Sequence, residues 1–220
     1  MMEQKKDNEE QREANEEAKE DETSVFEQKQ LLREKMKTVR DSIPEKERKE
    51  QSEALANIVL GTELYETSVF ILSYVAKGSE VDTSAIMKKA IQDGKKVYVP
   101  KIFPKSKTMD FFECDDLNDL QEGEMGILEP KGDPTGLFPY SMHISLDAAP
   151  KCMILVPGLA FDEKLSRLGM GRGYYDWYLS RFKKKMTVGM AFNEQMVEEV
   201  PTGPNDVSLD LVVTPKRAYF

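Results

Sequence analysis

Two short apolar runs separated by a helix-length segment constrain this chain more than any other feature. Val69-Phe70-Ile71-Leu72-Ser73-Tyr74-Val75 and Lys96-Val97-Tyr98-Val99-Pro100 are rich in β-branched and aromatic residues. Between them, Thr83 stands as a cap before Ile86, Met87, Ala90 and Ile91 at helical spacing. A strand, a helix and a second strand in that order make a crossover between parallel neighbours. Strands joined this way are covered on both faces, so the expected fold is α/β, a mainly parallel sheet flanked by helices.

The same alternation continues on either side. From Thr23 or Ser24, the residues Val25, Lys29, Leu32, Met36 and Val39 mark one face of a helix that ends before Asp41. Pro44 suits the first turn of a second helix carrying Leu55, Ile58 and Val59, with Gly61 as its stop. Met109 to Glu113 is expected to add a strand, as are Met153 to Val156, Met186 to Ala191 and Leu211 to Val213, with a helix from Arg172 to Phe182. Glu129 to Pro150 contains Pro130, Gly132, Pro134, Gly136, Pro139 and Pro150 and reads as a surface connection.

Composition narrows the function. The chain has 220 residues, 40% of them hydrophobic, enough for a substantial core. Its formal net charge is −9, which argues against nucleic acid or an anionic membrane as bulk partner, since both select positive charge. Residues 1–22 hold ten acids and four bases, a net −6, with almost no apolar side chain, and are expected to be an acidic disordered tail. Residues 23–220, with net −3, are expected to form one folded domain. Cys114 and Cys152 are the only cysteines, and His143 is the only histidine. Neither a disulfide framework nor a multi-histidine metal site fits that inventory. The N-terminus has no apolar run of signal-peptide type, and no stretch is apolar over a membrane span. A cytoplasmic monomer is the expectation.

The chemistry concentrates in Val156-Pro157-Gly158-Leu159-Ala160-Phe161-Asp162, a short linker, and Arg167-Leu168-Gly169-Met170-Gly171-Arg172-Gly173-Tyr174-Tyr175-Asp176. Three alternate glycines lie between a strand and a helix. Such a turn admits positive φ, brings backbone N–H groups close to an anion and sets a helix dipole behind it. Arg167 and Arg172 flank it with forked donors suited to phosphate. The spacing is neither a dinucleotide fingerprint nor a Walker loop. On residues alone, a purely structural turn remains open. So does a solvated helix face for Lys29 and Arg33, four apart.

The order of these residues resembles the signature of the 5-formyltetrahydrofolate cyclo-ligase family, also called methenyltetrahydrofolate synthetase. Supporting matches are Lys29-x-x-x-Arg33, Glu80-Val81-Asp82-Thr83, Val99-Pro100, Gly126-Ile127-Leu128-Glu129-Pro130 and Asn205-Asp206. The resemblance implies a fold related to ribose-5-phosphate isomerase and CoA-transferase domains. It also implies an ATP- and Mg²⁺-dependent cyclisation of 5-formyltetrahydrofolate to 5,10-methenyltetrahydrofolate, releasing ADP and phosphate.

By the same resemblance Lys29, Arg33, Arg167, Leu168, Gly169, Met170, Gly171, Arg172, Gly173, Tyr174 and Tyr175 hold ATP. Leu72, Glu80, Met170, Gly171, Arg172, Gly173 and Tyr174 face folate, with Glu80 accepting from the pterin. Arg167, Arg172 and Tyr175 serve catalysis, and Asp176 and Asp206 carry Mg²⁺. Arg172 falls where the family varies, and the linker Glu163 to Ser166 lacks the family's frequent glycine. Trp177 suits a core anchor better than a folate stack. Replacing Arg167 or Asp176 by Ala is expected to remove turnover and leave thermal unfolding nearly unchanged. Two other readings share part of the pattern: a folate-binding protein without catalysis, and a sugar-phosphate enzyme of related fold. The intact cations, glycines and acids weigh against the first, and the length of the signature against the second.

Overall fold

The computed structural model describes residues 24–123, 125–131, 136–138, 151–181 and 186–220. The acidic segment 1–22 and His143 lie outside the described residues. The strands are β1 (Ser68–Leu72), β2 (Lys96–Phe103), β3 (Thr108–Glu113), β4 (Leu120–Glu122), β5 (Leu128–Pro130), β6 (Lys151–Val156), β7 (Ala160–Phe161), β8 (Arg167–Leu168), β9 (Met186–Met190), β10 (Leu211–Val213) and β11 (Ala218–Tyr219). The helices are α1 (24–42), α2 (Glu45–Leu60), α3 (Glu63–Thr67), α4 (Ser84–Gln92) and α5 (Tyr174–Arg181).

Seven strands form one sheet in the order β11-β10-β9-β6-β1-β2-β3. Neighbours from β10 to β2 are parallel, and only the edge strands β3 and β11 run antiparallel. Alternation along each strand feeds two layers. Ile71, Val97, Val99, Met153, Leu155, Val188 and Val213 point to the face covered by Leu55 and Val59 of α2, Tyr65 of α3, and Ile86, Met87 and Ala90 of α4. Leu72, Tyr98, Ile154, Val156 and Val212 point to the other face, against Tyr178 and Leu179 of α5. Each of these side chains contributes about 1.5–3 kcal/mol when fully buried, so the two layers fix the register of the central strands.

Helix α1 belongs to neither layer. Met36, with Leu32 and Val39 beside it, packs against Leu159, Ala160 and Leu168 of the β7–β8 hairpin and against Val200. The expected inward face is observed, and the helix continues through residue 42 to be stopped by Pro44, whose ring disfavours a helical residue before it. Thr83 does precede α4, but its hydroxyl donates to Tyr74 O at 2.8 Å. Asp82 caps instead, accepting from Ser84 N at 2.8 Å.

The surface connection expected from Glu129 to Pro150 is corrected at two places. Glu129 lies inside β5, is 6% exposed, and accepts from Ile102 N at 3.2 Å. Phe138 donates its N–H to Phe111 O at 2.8 Å and buries its ring edge-on to Phe70 and Tyr98, at 5.5 and 5.0 Å. Proline and glycine mark where regular structure breaks, yet a large aromatic ring in such a stretch still finds the core because its transfer from water is favourable. Among the described residues no helix is long and apolar enough to cross a membrane.

Candidate active site

The strand order creates the site. From β1 the chain crosses to β2 on one side, and from β6 it crosses to β9 on the other. Adjacent strands whose connections diverge leave a crevice beyond their carboxyl ends, where open α/β sheets bind ligands. The segment after β1 carries Tyr74 and Glu80, and the segment after β6 carries Pro157 to Asp176. α1 lies across both.

On the β6 wall, the short β7–β8 hairpin leads into the glycine turn and α5. The strand before the glycines is therefore the two-residue β8, and the sheet strand β6 ends a hairpin earlier. Gly171 and Gly173 have φ of +89° and +70°. The φ at Gly171 favours glycine, and a Cβ there would lie 3.2 Å from the Arg33 guanidinium carbon, so that side chain would have to shift. Arg33 Nε donates to Gly169 O at 3.0 Å, which docks α1 onto the turn. Burial pulls the Arg33 guanidinium below its ordinary pKa, with Asp206 opposing. Met170 is 59% exposed and Arg172 is exposed beside it.

Arg167 is inward, its side chain 4% exposed. Nη2 donates to both oxygens of Asp176 at 2.9 Å, and Nη1 donates to Pro157 O at 3.4 Å. Its guanidinium lies 5.7 Å from the centre of the Tyr175 ring. Arg167 Nε and the Tyr175 hydroxyl are buried and have no hydrogen-bond partner among the described residues. Two orphaned buried donors side by side are costly in a finished core and are in place where a ligand will complete them. Burial, with Glu80 adding to it and Arg167 opposing, raises the Tyr175 pKa, so the hydroxyl keeps its proton.

The two acids lie next to one another through the backbone. Val207 N, one residue past Asp206, donates to Asp176 Oδ1 at 3.3 Å. Asp206 Oδ2 accepts from Gly203 N at 2.6 Å and pairs with Lys29 of α1. Asp176 is thus engaged through both oxygens, whereas Asp206 uses one. Among the described residues no group of three metal-ligating side chains occurs. A hard cation that takes one or two carboxylates plus phosphate oxygens fits this pair.

On the β1 wall, Glu80 accepts from Lys77 N at 2.9 Å, and Arg40 Nη1 stands 3.9 Å from its other oxygen. Burial raises the Glu80 pKa, with the Lys77 amide and then Arg40 opposing. Tyr74, 4% exposed, donates to Val81 O at 2.8 Å.

Most expected site residues therefore converge: Lys29, Arg33, Gly169 to Gly173, Arg167, Tyr175, Asp176 and Asp206 on one wall, Glu80 on the other. Three have side chains packed in or against the core layers. Leu72 is fully buried beneath the crevice with Ile154 and Tyr178, because strand alternation turns it toward α5. Leu168 is 1% exposed and packs against Met36. Tyr174 packs against the α5 layer. Trp177 is partly buried there too, with Arg181 stacked at 4.3 Å, as a core anchor. Arg167→Ala or Asp176→Ala would break an ion pair that is 4% and 22% exposed, which argues for a loss of stability rather than the unchanged unfolding expected from the sequence. Arg40 was missing from the expected set. Only its place four residues past Met36 on the inward face of α1 could have marked it.

The linker between β7 and β8 contains a left-handed residue. Leu165 takes φ +65°, held by Leu165 N to Asp162 O at 3.1 Å and Leu209 N to Leu165 O at 3.0 Å. Asp162, fully buried, accepts from Lys164 N, Ser166 N and Val200 N. These bonds hold leucine in a left-handed conformation that ordinarily favours glycine.

The sequence profile of the 5-formyltetrahydrofolate cyclo-ligase family matches residues 25–215. The chain is 31% identical over 211 residues to the mitochondrial 5-formyltetrahydrofolate cyclo-ligase of Arabidopsis thaliana, covering 87% of this chain and 76% of that one. It is 33% identical over 149 residues to the 5-formyltetrahydrofolate cyclo-ligase of Escherichia coli K12, covering 66% and 78%. The solved structure of Aquifex aeolicus 5,10-methenyltetrahydrofolate synthetase superposes with a TM-score of 0.72 at 29% identity, over 87% of this chain and 91% of that one. A Mycoplasma pneumoniae 5,10-methenyltetrahydrofolate synthetase shares the fold, with a TM-score of 0.66 at 19% identity, over 85% and 98%. The chain belongs to the 5-formyltetrahydrofolate cyclo-ligase family.

Proposed function

We propose that this chain closes 5-formyltetrahydrofolate to 5,10-methenyltetrahydrofolate, consuming ATP and releasing ADP and phosphate. The observation that carries the reading is the convergence of a half-buried carboxylate on the β1 wall with a cation-flanked glycine turn on the β6 wall, at one crevice. A formyl oxygen on an amide-type nitrogen is a poor leaving group. Transfer of the γ-phosphoryl group to it makes that oxygen depart as phosphate when folate N10 attacks the formyl carbon. No enzyme nucleophile is needed, so the protein's work is positioning and charge neutralisation.

Lys29, Arg33 and Arg172 are assigned to the nucleotide phosphates, which rest on Gly169 to Gly173. Arg167, steered by Asp176, directs its uncommitted Nε toward the transferring group. Tyr175, kept protonated, supplies a hydroxyl donor on the same side. Glu80 accepts from the pterin's amino and ring N–H groups, and exposed Met170 covers the apolar part of the folate. Asp206, with Asp176 beside it, would hold Mg²⁺, which when bound neutralises phosphate charge. Cys114 and Cys152, both buried and outside any disulfide, fit a reducing compartment such as the cytoplasm.

The test is appearance of the methenyl chromophore from 5-formyltetrahydrofolate in the presence of ATP and Mg²⁺, and its absence when either is left out. Folded protein that binds both substrates and forms no product would sink the assignment.

A further inference from the structure

Arg40 is a deeply placed cation near the crevice and has no role in the chemistry above. It is 6% exposed on a helix whose other arginine in the same region, Arg33, reaches the glycine turn. A guanidinium taken out of water needs acceptors in fixed directions. Arg40 has three. Nε donates to Ser79 Oγ at 3.0 Å, Nη1 donates to Gly158 O at 3.3 Å, and Nη1 stands 3.9 Å from Glu80 Oε1. Ser79 in turn donates to Asp41, the next residue of α1. Gly158 O accepts a second bond, from Gln195 Nε2 at 2.8 Å.

These contacts link the two walls. Ser79 and Glu80 follow β1, Gly158 follows β6, and Gln195 follows β9. We propose that Arg40 is a positioning residue for folate recognition, clamping the β1 and β6 walls together and aiming the Glu80 carboxylate into the crevice. The separation of 3.9 Å is decisive for the form of that role, because it is too long for a hydrogen bond. One Glu80 oxygen is fixed by the Lys77 amide, and the other is steered by charge and stays available to accept from a ligand. A lysine at this position would carry the charge without the fork, and could not meet Ser79, Gly158 and Glu80 from one plane.

The inference rests on Glu80 meeting folate, so its test is a cycle among wild type, Arg40→Lys, Glu80→Gln and the double variant. The readouts are the KM values for 5-formyltetrahydrofolate and ATP, and calorimetric binding of 5-formyltetrahydrofolate, which does not depend on turnover. Arg40→Lys is expected to weaken folate binding by about tenfold, the scale of one charged hydrogen bond, and to change the KM for ATP by less than about twofold. In the Glu80→Gln background, Arg40→Lys should add less than about twofold, because its target is already gone. Multiplying penalties, or equal losses for folate and ATP, would overturn the positioning role and leave a general packing role. If Arg40→Lys does not fold, Ser79→Ala removes one acceptor while keeping the charge and enters the same cycle with the same expectation. Failure of the underlying reading looks different: Glu80→Gln would leave folate binding unchanged, or wild type would bind folate and form no product.

Discussion

The two walls of the crevice solve opposite problems. The β6 wall gathers charges and neutralises them against each other, as Arg167 with Asp176 and Lys29 with Asp206, around a turn of exposed glycines. The β1 wall half-buries one carboxylate, Glu80, near Tyr74 and Tyr175, and burial raises its pKa. A highly charged ligand such as a triphosphate is met by cations held in reserve by carboxylates. A ring with a few N–H groups is met by a single acceptor in an apolar setting, where one hydrogen bond counts for more.

Breaking the pair on the β6 wall should have the largest effect. Arg167→Ala is expected to cut turnover by about 10²–10³, the scale of losing one charge-stabilising donor. It should also cost about 2–4 kcal/mol of stability in urea unfolding, since Asp176 is left half-enclosed without its partner. A fully active Arg167→Ala enzyme would remove the wall's central element.

On the other wall, Glu80→Gln should raise the folate KM by about tenfold or more while the ATP KM holds. Its thermal midpoint at neutral pH should equal or exceed wild type. The sign follows from linkage: a carboxyl whose folded pKa is raised binds its proton more tightly in the folded state, so ionising it costs stability as pH rises from the ordinary carboxylate range through the raised value. Below that range the two proteins should differ least. Lys77, Arg40, Tyr74 and Tyr175 all face this carboxyl, so the titration is to be followed at fixed salt.

Gly171→Ala tests the nucleotide side more gently. With φ at +89° and Arg33 in contact, an added methyl should weaken ATP about tenfold and leave folate binding within about twofold. Equal loss for both ligands would mean that the walls are not separable. Lys107, in the turn between β2 and β3 at φ +56°, stands away from both. Lys107→Gly should stabilise by up to about 1 kcal/mol in urea and leave both KM values unchanged, a control for strain relief alone.

Legibility differed by element. The apolar runs at 69–75, 96–100, 153–156 and 186–191 read correctly as strands, because a strand buried on both faces needs continuous apolar sequence. β4, β5 and the bridge between Phe112 and Leu137 were not legible, since their pairing partners are set by tertiary contact and their own residues mix polar with apolar. In the site, the glycine turn and its flanking arginines announced themselves by local chemistry. Arg40 did not, because a buried arginine looks like any surface arginine until its acceptors, 39 and 118 positions away, are in place.

The sequence by itself determined the layer pattern, the charge segregation and the residue order that marks the family, all of which are local or periodic properties. Only the tertiary structure decided that β1 and β6 lie side by side with their crossovers diverging, and so that Glu80 faces Arg167 and Tyr175 across one crevice. Only it revealed that Asp176 is held by Arg167, that Leu72 lies under the site, and that Arg40 joins the walls. These are contacts between residues far apart in the chain. Their geometry depends on how two buried layers of side chains register the strands, which no single segment encodes.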